Sequence, residues 1–406
     1  MATVRTQVLS TTQRILAEET LQLDPPKADE VLIDIAACGV CHTDLHVLKE
    51  EVNFPRPAVL GHEVSGVVTQ LGDNVTHVTV GDRVVAAFIM PCGACRHCSD
   101  GFEEICEVFF ENNRMRGRLL DGTTRLHRPD GTEVAMYSMA GHAHRTVVPA
   151  SAVFKLPDSV SLHDAAILGC SIFTAYGSVV ETGEVSAGDT VAVVAAGGIG
   201  LSITHLAAAA GAKRIFVIDL DDEKLALAKE LGATDVINAQ KQDPLEVITK
   251  ELGHGVDKVF EALGTQRTVD QAISLVDDGG RVVLTGIAPP GHVLNTPIAH
   301  VVRRKIQLMG SYGARVTTAM PAVIELAAQG KIALDKLITD RFAFEQTDAA
   351  YRALDARTIR GRGVISINPD LTKPARFNLG GAGAPFADPV DSQSWIGKNC
   401  TAIYRR

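Results

Sequence analysis

The sequence predicts an α/β protein in two parts, a rolled and mostly antiparallel β domain and a parallel, doubly wound sheet. Two patterns carry that prediction. In the first third, β-type runs at residues 31–36, 64–69 and 83–88 are separated by glycine turns, the spacing of short strands that fold over on themselves. From about residue 171 to 310, apolar runs alternate with helical periodicity: a run at 190–196, a helix to 210, a run at 214–218 and a helix over 222–231. Strand and helix alternating in this way build a parallel sheet covered on both faces.

Beyond residue 310 a helical pattern at 320–329 precedes strand-like pieces around 342–344 and 363–367, read as the chain returning to complete the first domain. The expected division is 1–171 with 311–369, then 172–310, with 370–406 as a tail rich in Gly, Pro, Ala and Asn. A chain of 406 residues with 46% hydrophobic content fills two cores. The net charge of −9 mixes 39 basic and 48 acidic residues, which leaves no basic footprint for nucleic acid or an anionic membrane. Residues 1–23 lack the apolar stretch of a secretory signal, and no run approaches the ~20 apolar residues that cross a bilayer. A cytoplasmic protein acting on a small molecule is expected.

Eight cysteines, four of them between 92 and 106, point to metal thiolates in a reducing compartment. Cys92, Cys95, Cys98 and Cys106 follow Cys-x2-Cys-x2-Cys-x7-Cys, with Gly93 and Gly101 permitting tight turns. Four sulfurs complete a tetrahedral zinc and leave no position for substrate, so this lobe, at 91–107, is expected to be structural. A second set, Cys41, His62 and Cys170, lies beside glycines at three distant points of the chain. Two thiolates and one imidazole leave a fourth position open, the arrangement of a catalytic zinc.

A dinucleotide site is expected where the run at 190–196 enters Ala195-Ala196-Gly197-Gly198-Ile199-Gly200 and then a helix. The helix N-terminus suits a pyrophosphate, and Ala195 stands where the usual G-x-G-x-x-G has its first glycine. Asp219, at the end of the next run, either holds the ribose hydroxyls of NAD or caps the following helix. Leu220, Asp221, Asp222 and Glu223 follow it, an acidic stretch that repels the 2′-phosphate of NADP.

The segment Gly61-His62-Glu63-Val64-Ser65-Gly66, continuing to Gly72 and Val75, resembles the zinc signature of the zinc-dependent medium-chain alcohol dehydrogenases, and the likeness runs from about residue 5 to 368. The resemblance implies a GroES-like catalytic domain, a Rossmann domain, two zinc ions per chain and NAD-linked oxidation of a primary or secondary alcohol. By the same resemblance Cys41, His62 and Cys170 are ligands of the catalytic zinc, with Glu63 and Asp44 behind them. Thr43 and His46 become a proton relay, although both could be ordinary polar residues of a loop. His42 and Arg362 fall at the cofactor pyrophosphate and Lys224 near the adenosine ribose.

Phe88, Val52 and Phe110 fall on the pocket wall, and the last two are apolar where glutathione-dependent relatives carry charge. His142 takes a pocket position that is usually aromatic, where it either adds polarity or faces solvent. The segment between Cys106 and Val147 is similar to that of dimeric members, which implies a homodimer, with a tetramer as the alternative. Polyol, aryl- or allylic-alcohol and amino-alcohol dehydrogenases share this apparatus, and substrate choice lives in the pocket. A non-catalytic zinc-scaffold interaction protein and a zinc-free reductase are the competing classes.

Overall fold

The computed structural model describes residues 2–288 and 291–371. At the N-terminus, Ala2–Leu9 runs antiparallel to Leu16–Leu23 over the full length of both. These two strands close a barrel with Leu126–His127, Glu133–Met136 and Ala58–Val59. A second sheet of seven strands is built around Glu30–Val40, which pairs antiparallel with Val64–Leu71, Arg145–Pro149 and Arg362–Ser366. Parallel pairing enters this half of the molecule only twice among the described residues, between Ala58–Val59 and Glu133–Met136 and between Ile338–Ala343 and Arg362–Ser366.

The third sheet has six strands, in the order Asp235–Asn238, Arg214–Asp219, Thr190–Val194, Val256–Glu261, Val276–Leu284, Gln307–Gly310. Every pairing in it is parallel. Thr190–Val194 is buried at each position, the composition expected of a central parallel strand covered by helices on both faces. The chain is thus the α/β protein its periodicities predict.

Element ends differ from the sequence reading where side chains and backbone find other partners. The run at 83–88 leaves its ladder after Ala86, because the Ala87 N–H goes to the Ala152 carbonyl and the Phe88 N–H to that of Gly169. That departure ties Phe88 to the turn carrying Cys170. The strand-like piece at 342–344 is the end of Ile338–Ala343, after which Phe344–Gln346 turns helically and the Gln346 side chain accepts the Ala343 N–H. The helix expected at 320–329 begins a turn earlier, as Val316–Ala328. The expected tail lies, from residue 372 on, outside the described residues. Among the described residues no helix is long and apolar enough to cross a membrane.

Candidate active site

Cys41 sits where Glu30–Val40 turns into the helix His42–Leu48, His62 precedes the strand Val64–Leu71, and Cys170 precedes the helix Ser171–Tyr176. Three buried loops therefore meet, and ligand atoms of Cys41, His62, Glu63 and Cys170 all lie within 4.8 Å of one another. His62 Nε2 is buried with no hydrogen-bond partner among the described residues. The Cys41 thiol is drawn well below its usual range, chiefly by the hydrogen bond from Cys170 and against its burial. Two sulfurs and an otherwise unused imidazole nitrogen at this spacing fit a zinc ion with one position to spare.

Behind these groups the side chains are paired. Asp44 accepts the Gly61 N–H at 3.0 Å and the Tyr351 hydroxyl at 2.9 Å, and stands 3.0 Å from His62 Nδ1. The Glu63 carboxylate is gripped by the Arg362 guanidinium, with Arg362 Nε 3.2 Å from Oε2 and a shorter contact through Nη2. Arg362 in turn lies against the dinucleotide turn: a Cβ placed on Gly198 would stand 3.1 Å from Arg362 Cδ. Gly39 leaves room for Glu63, since a Cβ there would fall 1.8 Å from Oε2.

A cavity of about 1150 Å³ runs from this cluster to the end of the parallel sheet. Cys41, Thr43, His46, Phe88 and Cys170 line one part of it. His42, Gly197, Gly198, Ile199, Asp219 and Lys224 line another, and Arg362 borders it as well. Thr43 Oγ1 is 3.5 Å from Cys41 Sγ, and His46 Nδ1 pairs with the Glu51 carboxylate. Among the described residues no hydrogen bond joins Thr43 to His46 directly.

Ala195 takes φ +81°, the left-handed conformation a glycine would supply. Gly200 permits close packing, since a Cβ there would stand 1.9 Å from the Ala195 carbonyl oxygen. The Asp219 carboxylate accepts the N–H groups of Ala196 and Leu220, both at 2.7 Å. It does not cap the next helix: Asp221 does, accepting the Glu223 N–H at 2.8 Å. Of the two sequence readings of Asp219, the cap is excluded, and Asp219 lines the cavity.

Three pocket assignments change. Val52 is exposed and off the cavity wall, because its N–H bonds back to the His46 carbonyl in the turn after the helix. Phe110 also leaves the wall and supports it from behind, its ring 5.5 Å from that of Tyr312. His142 neither enters the pocket nor faces solvent. It is fully buried, because Gly141 and His142 N–H groups bond to the Gly61 and Leu60 carbonyls and turn the side chain inward. There its Nε2 meets the Tyr351 hydroxyl at 2.7 Å, and burial pulls its pKa down to about 4.

Sequence reasoning missed Tyr312 and Arg114, which line the cavity, and Tyr351, which reaches Asp44. None stands in a spaced motif, so no local signal singled them out.

The sulfurs of the four-cysteine lobe converge apart from this cavity. Ligand atoms of Cys92, Cys95, Cys98 and Cys106 lie within 4.8 Å of one another, and all four thiols are free of disulfides. Backbone N–H groups of Cys95 and Cys92 point at Cys92 Sγ and Cys106 Sγ, each at 3.3 Å, and Gly93 and Gly101 have φ of +71° and +85°. Amides aimed at sulfur favour thiolates, so the donor set fits a closed, structural zinc. The lobe is moored by Arg315 Nε to the Gly101 carbonyl at 2.7 Å and by Thr317 Oγ1 to Glu103 at 2.7 Å.

Comparison with known proteins agrees with this geometry. The alcohol dehydrogenase GroES-like domain family matches residues 27–158, and the zinc-binding dehydrogenase family matches residues 198–329. The chain is 33% identical to the NDMA-dependent alcohol dehydrogenase of Amycolatopsis methanolica over 84% of its own length and 94% of that protein. A zinc-binding-domain alcohol dehydrogenase protein of Burkholderia ambifaria superposes with a TM-score of 0.85 at 29% identity, over 90% of this chain and 99% of that one. The benzyl alcohol dehydrogenase of Acinetobacter calcoaceticus does so with 0.84 at 28% identity, over 90% of this chain and 100% of that one. With a barrel-and-sheet domain, a six-stranded parallel sheet, a four-cysteine lobe and a Cys–His cluster beside the cavity, the chain belongs to the zinc-binding medium-chain alcohol dehydrogenase family.

Proposed function

We propose that this protein oxidises a primary or secondary alcohol to an aldehyde or ketone, reversibly, with NAD as the hydride acceptor. One observation carries the reading. Cys41 and Cys170 line the same cavity as the Gly197–Gly198 turn and Asp219, so an alcohol at the cluster and a nicotinamide cofactor on the sheet share one cleft.

Zinc held by Cys41, His62 and Cys170 would supply the Lewis acidity that lowers the pKa of an alcohol hydroxyl. The chain's own residues do the rest. Asp44 and Tyr351 orient His62 from behind, and Glu63 with Arg362 fixes the wall between the cluster and the dinucleotide turn. Thr43 Oγ1 takes the hydroxyl proton in a hydrogen bond, and half-buried His46 passes it towards solvent, a bound hydroxyl or water bridging the two. His42 and Arg362 border the pyrophosphate, and Lys224 the adenosine ribose. Asp219 accepts hydrogen bonds from the ribose hydroxyls. A 2′-phosphate there would meet Asp219, Asp221, Asp222 and Glu223, which is why NAD is preferred to NADP.

The test is a panel of aliphatic, allylic, benzylic and polyol substrates on zinc-replete protein, with NAD, NADP and NDMA supplied in turn. Two zinc per chain and faster turnover with NAD than with NADP are expected. Faster turnover with NADP would overturn the role given to Asp219, and no alcohol-dependent cofactor reduction would overturn the activity. The same reading extends to a homodimer, with a tetramer as the alternative, and light scattering of the purified chain gives the mass that decides it.

A further inference from the structure

A guanidinium with no hydrogen-bond partner among the described residues lies on the cavity wall. Arg114 ends the π-helical turn Phe109–Arg114 and lines the cavity together with Cys170, Phe88, Thr174 and Tyr312. Its Nε, Nη1 and Nη2 are almost fully buried, and among the described residues none has a hydrogen-bond partner. Among the described residues the fold pairs its three buried arginines: Arg83 with Asp158, Arg125 with Glu30 and Asp121, and Arg362 with Glu63. Arg114 instead lies over three rings, with its Cζ 4.6 Å from the centroid of Tyr137, 5.4 Å from Phe109 and 5.5 Å from Phe88.

Ring faces stabilise the positive charge but accept no N–H bonds from its edge. A buried donor left without an acceptor is costly, and one that borders a cavity is a candidate for an acceptor supplied from the cavity. The nearby carboxylate of Asp44 is already engaged by the Gly61 N–H and the Tyr351 hydroxyl, so it does not serve as the missing partner.

We propose that Arg114 recognises an anionic end of the substrate, and that the site takes an alcohol or aldehyde bearing a carboxylate across an apolar spacer. This rests on the reading of the cavity as an alcohol-oxidising site. Phe88 marks the path of the spacer. Its ring is 5.9 Å from that of His62 and 5.7 Å from that of Tyr312, and it also faces Arg114. A flat or short hydrocarbon along Phe88 and Tyr312 joins a hydroxyl at the Cys41–His62–Cys170 cluster to an acceptor at Arg114. One guanidinium matches one carboxylate with two parallel N–H···O bonds. A phosphate monoester offers the same acceptor chemistry but brings a second negative charge, so the carboxylate is the better match.

The experiment compares benzyl alcohol, para-hydroxymethylbenzoate and the corresponding para-hydroxymethylphenyl phosphate on the zinc-loaded protein and on Arg114→Met and Arg114→Lys. The wild type is expected to favour the carboxylate over benzyl alcohol by about 100-fold in kcat/KM. That ratio should fall by about the same factor in Arg114→Met and by less in Arg114→Lys, which keeps the charge but not the fork. An equal ratio in wild type and Arg114→Met, or a wild-type preference for benzyl alcohol, overturns the proposal. A higher kcat/KM on the phosphate than on the carboxylate overturns the choice of carboxylate. A second measurement needs neither variant nor turnover: benzoate should raise the thermal midpoint of the wild type at concentrations about tenfold below those at which benzamide does. Equal effects of the two count against Arg114 even if alcohols are oxidised. A benzoate-specific shift with no turnover of any alcohol would instead leave Arg114 supported and the activity refuted.

Discussion

Tyr351 donates its hydroxyl to Asp44 over 2.9 Å, and His142 Nε2 stands 2.7 Å from the same oxygen. With the hydroxyl proton committed to the carboxylate, the oxygen accepts from His142, so a buried line of donors runs from His142 through Tyr351 to Asp44 and ends beside His62. Tyr351→Phe removes the middle of that line. It strips one donor from Asp44 and leaves the His142 N–H without an acceptor, at a cost of about 2 kcal/mol in unfolding free energy. On the proposed reading Asp44 orients His62 towards zinc, so zinc affinity at the cluster should fall about tenfold. Competition with a chromophoric chelator measures this, and an unchanged zinc Kd would show that Gly61 alone suffices to hold Asp44.

His142 also sets a pH dependence. Its folded pKa, about 4, lies below its ordinary value of 6.5, chiefly because burial disfavours the charged ring. Between those values the unfolded chain binds the proton and the folded chain does not. The contribution is therefore complete above about pH 6.5 and is lost as the pH falls towards 4, by at most about 3 kcal/mol. Glu181 works the other way, since burial pushes its pKa up to about 7 and its contribution is lost as the pH rises towards that value. Urea unfolding of wild type and His142→Phe between pH 4 and 7 separates the two. The difference between the proteins should shrink on acidification, and a constant difference would contradict the buried neutral histidine.

Ala195 carries a methyl group at φ +81°, where an L side chain crowds its own carbonyl. Ala195→Gly should stabilise the folded protein by about 1 kcal/mol, the strain removed slightly exceeding the entropy added to the unfolded chain. A higher urea midpoint checks this. A lower one would mean that the methyl packs usefully against the end of the parallel sheet.

Much of this molecule was legible in its sequence. The alternation of apolar runs and helices between 171 and 310 marks a parallel sheet, because each element's periodicity is set by its own burial. Cys92, Cys95, Cys98 and Cys106 stand close enough in sequence for their spacing alone to imply one ion. Cys41, His62 and Cys170 say little singly; their donor chemistry suggests an open zinc site, the resemblance assigns them to it, and the fold brings their ligand atoms within 4.8 Å of one another. Val52, Phe110 and His142 went astray for a shared reason. A matching position predicts which loop a residue occupies, whereas the direction of its side chain depends on which backbone carbonyls that loop finds.

By itself, then, the sequence determined the sheet types, the four-cysteine donor set and the family, since periodicity, thiol spacing and the zinc signature are properties of short stretches of chain. Only the tertiary structure decided which charges are neutralised and which are left over. Glu63 finds Arg362 299 residues away, while Arg114 finds three aromatic rings and, among the described residues, no paired carboxylate. Pairing of buried charges is a contest among all groups the fold brings into one low-dielectric space, and no single segment encodes its outcome.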